Sequence, residues 1–200
     1  MGTDIYMFAE VRRNGAWEIA EPLVRNSLWS ADHPEGGPEW KPTALYETRN
    51  SALFGILANV SNPMHHARAF EYISEPRDLP RDVSKEIFDW HKHWGEDAFA
   101  ESWLLLEELI AFDWQGKENV RLSRVSPTVA HLFPPGRRGF PLAEWPAAPP
   151  TWHVDPHGVD VRWIETYAEA VASEFLEGSM KTLRSYGTPR DVRIVFWFDS

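Results

Sequence analysis

The chain predicts an α+β fold: a small, mainly antiparallel sheet that contains both termini, packed against about four helices and overlaid by two long proline-rich loops. Three observations carry this. Both ends of the chain alternate apolar and polar residues at the strand period, the segments between them carry apolar stripes at helical spacing, and prolines and glycines gather in two stretches.

At the start, Asp4, Tyr6, Phe8 and Glu10 point one way while Ile5, Met7, Ala9 and Val11 point the other, because successive strand side chains alternate faces. At the end, Arg193, Val195, Trp197 and Asp199 oppose Val192, Ile194, Phe196 and Phe198. Each strand thus has one continuous apolar face. Neither could bury it alone, so the two are expected as neighbours in one sheet, with the opposite faces forming the wall of a polar, aromatic-lined site.

Asn14-Gly15 supplies the two positive-φ positions of a tight turn, so residues 3–12 and 16–24 read as a hairpin. Residues 26–43 are loop, punctuated by Pro34, Gly36, Gly37, Pro38 and Pro42, with Trp29 and Trp40 pinning it to the body. A short helix follows, capped by Asn50 or Ser51, with Leu53, Phe54, Ile56 and Leu57 inward, and it stops before Pro63. A second runs from Val83 to His93 with Asp82 or Ser84 at its start, Ile87, Trp90 and Trp94 on one stripe and Gly95 at its end.

Ser102 is expected to cap a third helix through Asp113, with Leu105, Leu106, Leu109 and Phe112 inward. Residues 131–158, with seven prolines, form a second long loop, too long for a connector and therefore a lid or clamp, with a short strand expected at 151–154. The longest helix is expected from Asp160 to Tyr186 and Gly187, with Ile164, Tyr167, Ala168, Val171, Phe175 and Leu183 inward.

At 200 residues and 43% hydrophobic, the chain reads as one domain, 1–200, able to bury a substantial core. Its net charge of −10, with Lys and Arg scattered, argues against nucleic-acid binding. Without cysteine there is no disulfide framework, thiolate metal site or Cys nucleophile. No signal peptide, membrane-length apolar run or myristoylation pattern is read at the start or elsewhere, so a soluble, cytoplasmic protein is expected.

The strongest polar constellation is Asp4, Arg49, Asn50, Ser102 and Asp199, all near the ends of elements. Arg49 is suited to a bidentate pair with Asp4 or Asp199, or to an anionic ligand, and Asn50 donates and accepts at once. The plainer reading of the same residues is two helix caps and one structural ion pair. Asp4, Asp199 and Arg49 are the catalytic candidates, and Tyr6, Asn50, Ser102, Trp103 and Trp197 the ligand-contact candidates.

Eight histidines are present, but His65-His66, His91 and His93, and His153 and His157 lack metal-ligand spacing, so neither metal nor other cofactor is expected. Eleven tryptophans read mostly as core and anchors, with Trp40, Trp145 and Trp152 among prolines the better placed for ligand contact. Gly136-Arg137-Arg138-Gly139 reads as a solvated turn, and Glu107 and Glu108, adjacent on a helix, cannot face one site.

Several segments, in order along nearly the whole chain, resemble a family of uncharacterised proteins of actinobacteria and their phages. They are Met1-Gly2-Thr3-Asp4-Ile5, Arg49-Asn50-Ser51-Ala52-Leu53-Phe54-Gly55-Ile56-Leu57-Ala58, Leu79-Pro80 to Val83-Ser84, Ser102-Trp103-Leu104 through Glu108-Leu109, and Val192-Arg193-Ile194-Val195-Phe196-Trp197-Phe198-Asp199. The resemblance implies no established activity. The family pattern has Cys and His around the first strand's Asp, where this chain has Thr3 and Tyr6, and His-Ser-His-Ser where it has Phe99-Ala100-Glu101-Ser102. If those histidines act in catalysis or metal binding, the departures imply a lost or altered role.

Two functions follow as expectations. The first is a small-molecule enzyme, or a degenerate relative of one, with Asp4 or Asp199 as general base or ligand anchor, Arg49 stabilising an anion or the transition state, and Tyr6 and Trp197 as walls. The second is a noncatalytic phage or host accessory protein that binds a protein partner. Whether the polar ends of the terminal strands meet in an enclosed cleft discriminates between them.

Overall fold

The chain's two ends meet in the middle of one sheet. The computed structural model describes residues 2–32, 37–146, 157–171 and 173–199. Strand β1 (Asp4–Arg13) turns through Asn14 and Gly15, at φ 51° and 86°, into β2 (Ala16–Ile19), as the Asn-Gly pair requires. β1 also pairs antiparallel with the last strand, from Asp4 opposite Asp199 to Val11 opposite Val192. Further along come a two-stranded ribbon of β3 (Val24–Arg25) and β4 (Trp40–Lys41), α1 (Ser51–Ala58) and α2 (Lys85–Trp94). β5 (Phe99–Leu105) and α3 (Leu106–Ala111) follow, then a second ribbon of β6 (Glu118–Val125) and β7 (Val159–Thr166). The chain closes with α4 (Tyr167–Ala170), a π-helical turn at Glu174–Ser179, α5 (Met180–Ser185) and β8 (Val192–Asp199). The main sheet runs β2-β1-β8-β5.

Both faces of that sheet are covered. Ile5, Met7, Ala9 and Val11 join Val192, Ile194, Phe196 and Phe198 in the larger core, with Leu53, Phe54, Ile56 and Leu57 of α1, Leu106 and Leu109 of α3, and Phe175 and Leu183. The opposite face, expected as the wall of a polar, aromatic-lined site, is largely roofed: Phe8, Val195 and Trp197 pack against Ile87 and Trp90 of α2 in a second core. β8 has a strand on either side and helices above and below, so nearly every position is buried whatever its parity. Trp197, Phe196 and Phe198 are fully buried, and burial of such side chains contributes roughly 1.5–3 kcal/mol each.

α1 begins where expected. The Asn50 side chain accepts the Leu53 N–H at 2.9 Å, and Asn59 at φ 59° ends the helix. α2 starts two residues later than expected, with Ser84 at its cap position and Gly95, at φ 53°, beyond its last turn.

Two helices expected from the sequence begin as strands. Residues 99–105 pair with β8, so Ser102 lies inside a strand and caps nothing; the helix occupies only 106–111. Residues 159–166 pair with β6, and helix starts at Tyr167, where Thr166 and Glu169 form a reciprocal capping box. In both places an open strand edge recruited the backbone, and tertiary pairing outweighed a local helical pattern. The short strand expected at 151–154 lies outside the described residues. Before it, Phe133 and Phe140 fold back onto Trp163, with Trp145 packed against both, so the described part of the second long loop is anchored on β7. No helix among the described residues is long and apolar enough to cross a membrane.

Candidate functional site

Asp4 and Asp199 are direct partners across the β1–β8 ladder, which sets their Cβ atoms roughly 5 Å apart on one face. Their surroundings differ. Arg49, just before the α1 cap, grips Asp4 with two nitrogens, Nε on Oδ1 and Nη2 on Oδ2 at 2.6 Å. That hydrogen bonding and charge hold the Asp4 carboxyl below the usual range and push the guanidinium's pKa up. A methyl group on Gly2 would stand 2.6 Å from Arg49 Nη1, so a bare backbone there leaves the guanidinium its place.

Asp199 has no guanidinium of its own. The Tyr6 hydroxyl lies 3.4 Å from its Oδ2, long for an O–H···O bond. Partial burial and the charges of Asp199 and Asp4 push the Tyr6 phenol far above its ordinary value, so it stays a proton donor. The Tyr6 ring rests on Trp94, centroids 4.2 Å apart, and is roughly parallel to Trp197 at 6.0 Å. Arg49 and Asp4 keep 60% and 35% of their side-chain surface exposed, so the cluster opens to solvent. It can offer a carboxylate base, a phenolic donor, a cation and two ring faces at once.

The remaining sequence candidates go elsewhere. Asn50 caps α1 and donates its amide to the Ala170 carbonyl at 3.2 Å, tying two helices together. Ser102 is fully buried on the larger core's side, where its hydroxyl accepts the Arg77 N–H at 3.2 Å. A bulge puts it there: Phe99 opposes Phe198 and Ser102 opposes Phe196, so one extra residue sits between them, with Ala100 at φ 52°. Trp103 lies towards the far end of the other face, beneath the Arg77 guanidinium at 5.0 Å. Trp197 is completely buried, and its indole N–H has no acceptor among the described residues.

Residues that sequence reasoning did not place here include Trp94 and the His91–Glu101 pair, Nε2 to Oε1 at 3.0 Å, whose imidazole stands edge-on to Trp197 at 4.9 Å. The signal was the helical spacing of Trp90, His91 and Trp94, which put an aromatic stripe against a strand whose polar face also needed covering. Of the two pairs the sequence allowed for Arg49, with Asp4 or with Asp199, the structure forms the one with Asp4.

Among the described residues no three His, Asp or Glu side chains converge to hold a metal. His66 is buried with Nδ1 2.8 Å from the Met64 carbonyl and Nε2 2.8 Å from Glu165 Oε1, while Trp163 donates its indole N–H to Glu165 Oε2 at 2.9 Å. Arg137 and Arg138 pair with Glu144 and Glu118. Glu107 and Glu108 do diverge, to Arg190 and Arg77.

Compared with known proteins, the chain matches no family model, no curated protein and no solved structure.

Proposed function

We propose that the protein is a small-molecule enzyme, or a relative of one that keeps the binding site, acting at Asp4, Arg49, Tyr6 and Asp199. The reading is supported by one observation, the asymmetry of the carboxylate pair: Asp4 is gripped by Arg49, whereas among the described residues its cross-strand partner Asp199 has a long contact to a phenol and feels Arg49 only through space. Two acids in unlike environments divide the work of acid–base chemistry, one fixed as an anchor and the other free to take a proton. In this scheme Asp199 is the general base, Tyr6 a hydrogen-bond donor, Arg49 the partner of an anion formed in the reaction, and Tyr6 and Trp94 the flat walls. The proposed kinship with the actinobacterial and phage proteins adds no substrate to this.

A metabolite panel screened by thermal shift, followed by turnover assays, tests the reading. A stabilising ligand whose effect vanishes in Asp199→Asn and Arg49→Ala, while both variants melt near the parent temperature, supports it. The same ligand binding undiminished to both variants overturns it. A second reading, a noncatalytic accessory protein for a protein partner, draws on Leu28, Trp40 and Leu142, all exposed in the two proline-rich stretches.

A further inference from the structure

The opposite end of the terminal strands holds a groove of a different character. Between the β1–β2 hairpin, residues 77–82 and the start of β8 lies a groove of about 640 Å³. Five arginines line it (Arg12, Arg77, Arg81, Arg190 and Arg193), against only Asp78 and Asp82. In a chain of net charge −10 with 20 Lys and Arg in all, this is a marked local reversal of sign.

Two of these cations are immobilised. The Arg193 guanidinium lies 4.1 Å over the Trp17 ring and 5.7 Å from Trp103, with Nε on Glu10 Oε2 at 2.6 Å and Nη1 on Asp82 Oδ1 at 2.9 Å. Arg77 sits 5.0 Å over Trp103 and forks onto Glu108 at 2.9 and 2.6 Å. Their counter-ions Glu10 and Glu108 do not line the groove, but Asp82 does, and Arg190 is paired with Glu107 at 2.9 Å, so three of the five arginines are already matched by carboxylates. Arg12 and Arg81 are exposed, and the structure shows neither in an ion pair with the described residues. They are the cations left to close on a ligand.

We propose that this groove binds a phosphate-bearing small molecule with a flat organic part. Guanidinium forks match the oxygens of a phosphate, and the forks available for it are those of exposed Arg12 and Arg81, while Arg77 and Arg193, engaged by Glu108, Glu10 and Asp82, contribute as fixed neighbours on the aromatic rings. The volume lies within the roughly 300–1,000 Å³ of small-molecule sites, so it has room for a ring beside the phosphate. Trp17, only half-buried, offers that ring a neighbour. A nucleic-acid strand is disfavoured because the positive lining is confined to one groove of an acidic protein. The site shares no residue with the Asp4–Asp199 cluster, so the two proposals stand separately.

Titration of the full chain with phenyl phosphate, benzoate and phenol, followed by calorimetry and tryptophan fluorescence at physiological salt, tests this. Phenyl phosphate should saturate at one equivalent, benzoate more weakly, and phenol not at all. Arg12→Ala with Arg81→Ala should weaken phenyl phosphate about tenfold or more without moving the melting temperature, since both side chains are exposed. Arg13→Ala, whose side chain pairs with Glu18 outside the groove, should bind like the parent. No saturable binding, equal binding of phenol, equal binding of benzoate, or an undiminished double variant would each overturn the proposal.

Discussion

Glu10 and Arg193 face each other on β1 and β8 and are joined by a 2.6 Å Nε–Oε2 hydrogen bond, with side chains 0% and 3% exposed. The other Glu10 oxygen takes the Ser84 N–H at 2.6 Å, and Arg193 reaches on to Asp82. The Ser84 hydroxyl itself has no partner among the described residues, so the start of α2 is secured by a carboxylate from the sheet rather than by its own cap residue.

That arrangement predicts a steep asymmetry among variants. Glu10→Ala leaves a buried guanidinium without its main partner and should cost about 3–5 kcal/mol in urea unfolding. Glu10→Leu combined with Arg193→Met, which removes both charges, should recover most of the loss. Additive losses in the double variant would count against a coupled pair.

The His66–Glu165–Trp163 trio gives a second contrast. Glu165→Gln keeps an acceptor for the Trp163 indole and a donor for the His66 ring, so its cost should be small. Glu165→Leu leaves two buried polar groups unsatisfied and should destabilise by roughly 2–4 kcal/mol in the same measurement.

Glu108 predicts part of the acid limb. Burial alone would raise its pKa, but the Arg77 fork, the Leu105 N–H and the Arg77 charge outweigh it and hold the carboxyl below its unfolded value of 4.5. A depressed folded-state value means that the stabilisation is complete above pH 4.5 and fades as the pH falls through the folded value. Glu108→Gln should therefore be less stable than the parent near neutrality, with the gap narrowing below pH 4.5 in denaturation midpoints. A gap that stays constant with pH would refute this.

Tyr6 should be silent in an alkaline titration. Its phenol is pushed up by burial and by Asp199 and Asp4, so it does not ionise around the ordinary value of 10.0. The phenolate absorbance curves of the parent and Tyr6→Phe should coincide through that range. A transition there that disappears in the variant would show Tyr6 ionising normally.

The parts of the fold legible in the sequence were those whose signal is local. Asn14-Gly15 dictates its own turn, Asn50 its own helix cap, and the two-residue alternation of 5–11 and 192–198 the strands that pair at the centre of the sheet. Segment 159–166 carried a legible strand signal as well, since Val159, Val161 and Trp163 alternate with Asp160 and Arg162, but the apolar spacing of Ile164, Tyr167 and Val171 runs across the junction and mimics a longer helix. At 99–105 the bulge at Ala100 breaks the alternation, so no simple period was present to read.

The candidate site divides the same way. By itself the sequence determined that acids and aromatics share one face of each terminal strand, because side-chain parity follows from the backbone alone. Only the tertiary structure decided that Arg49 grips Asp4 and leaves Asp199 beside Tyr6, that α2 roofs the face between, and that Arg193 is buried beneath Trp17 while Arg12 and Arg81 are exposed. These outcomes depend on which distant segments pack together, and that is set by the balance of burial and pairing over the whole chain rather than by any neighbour in sequence.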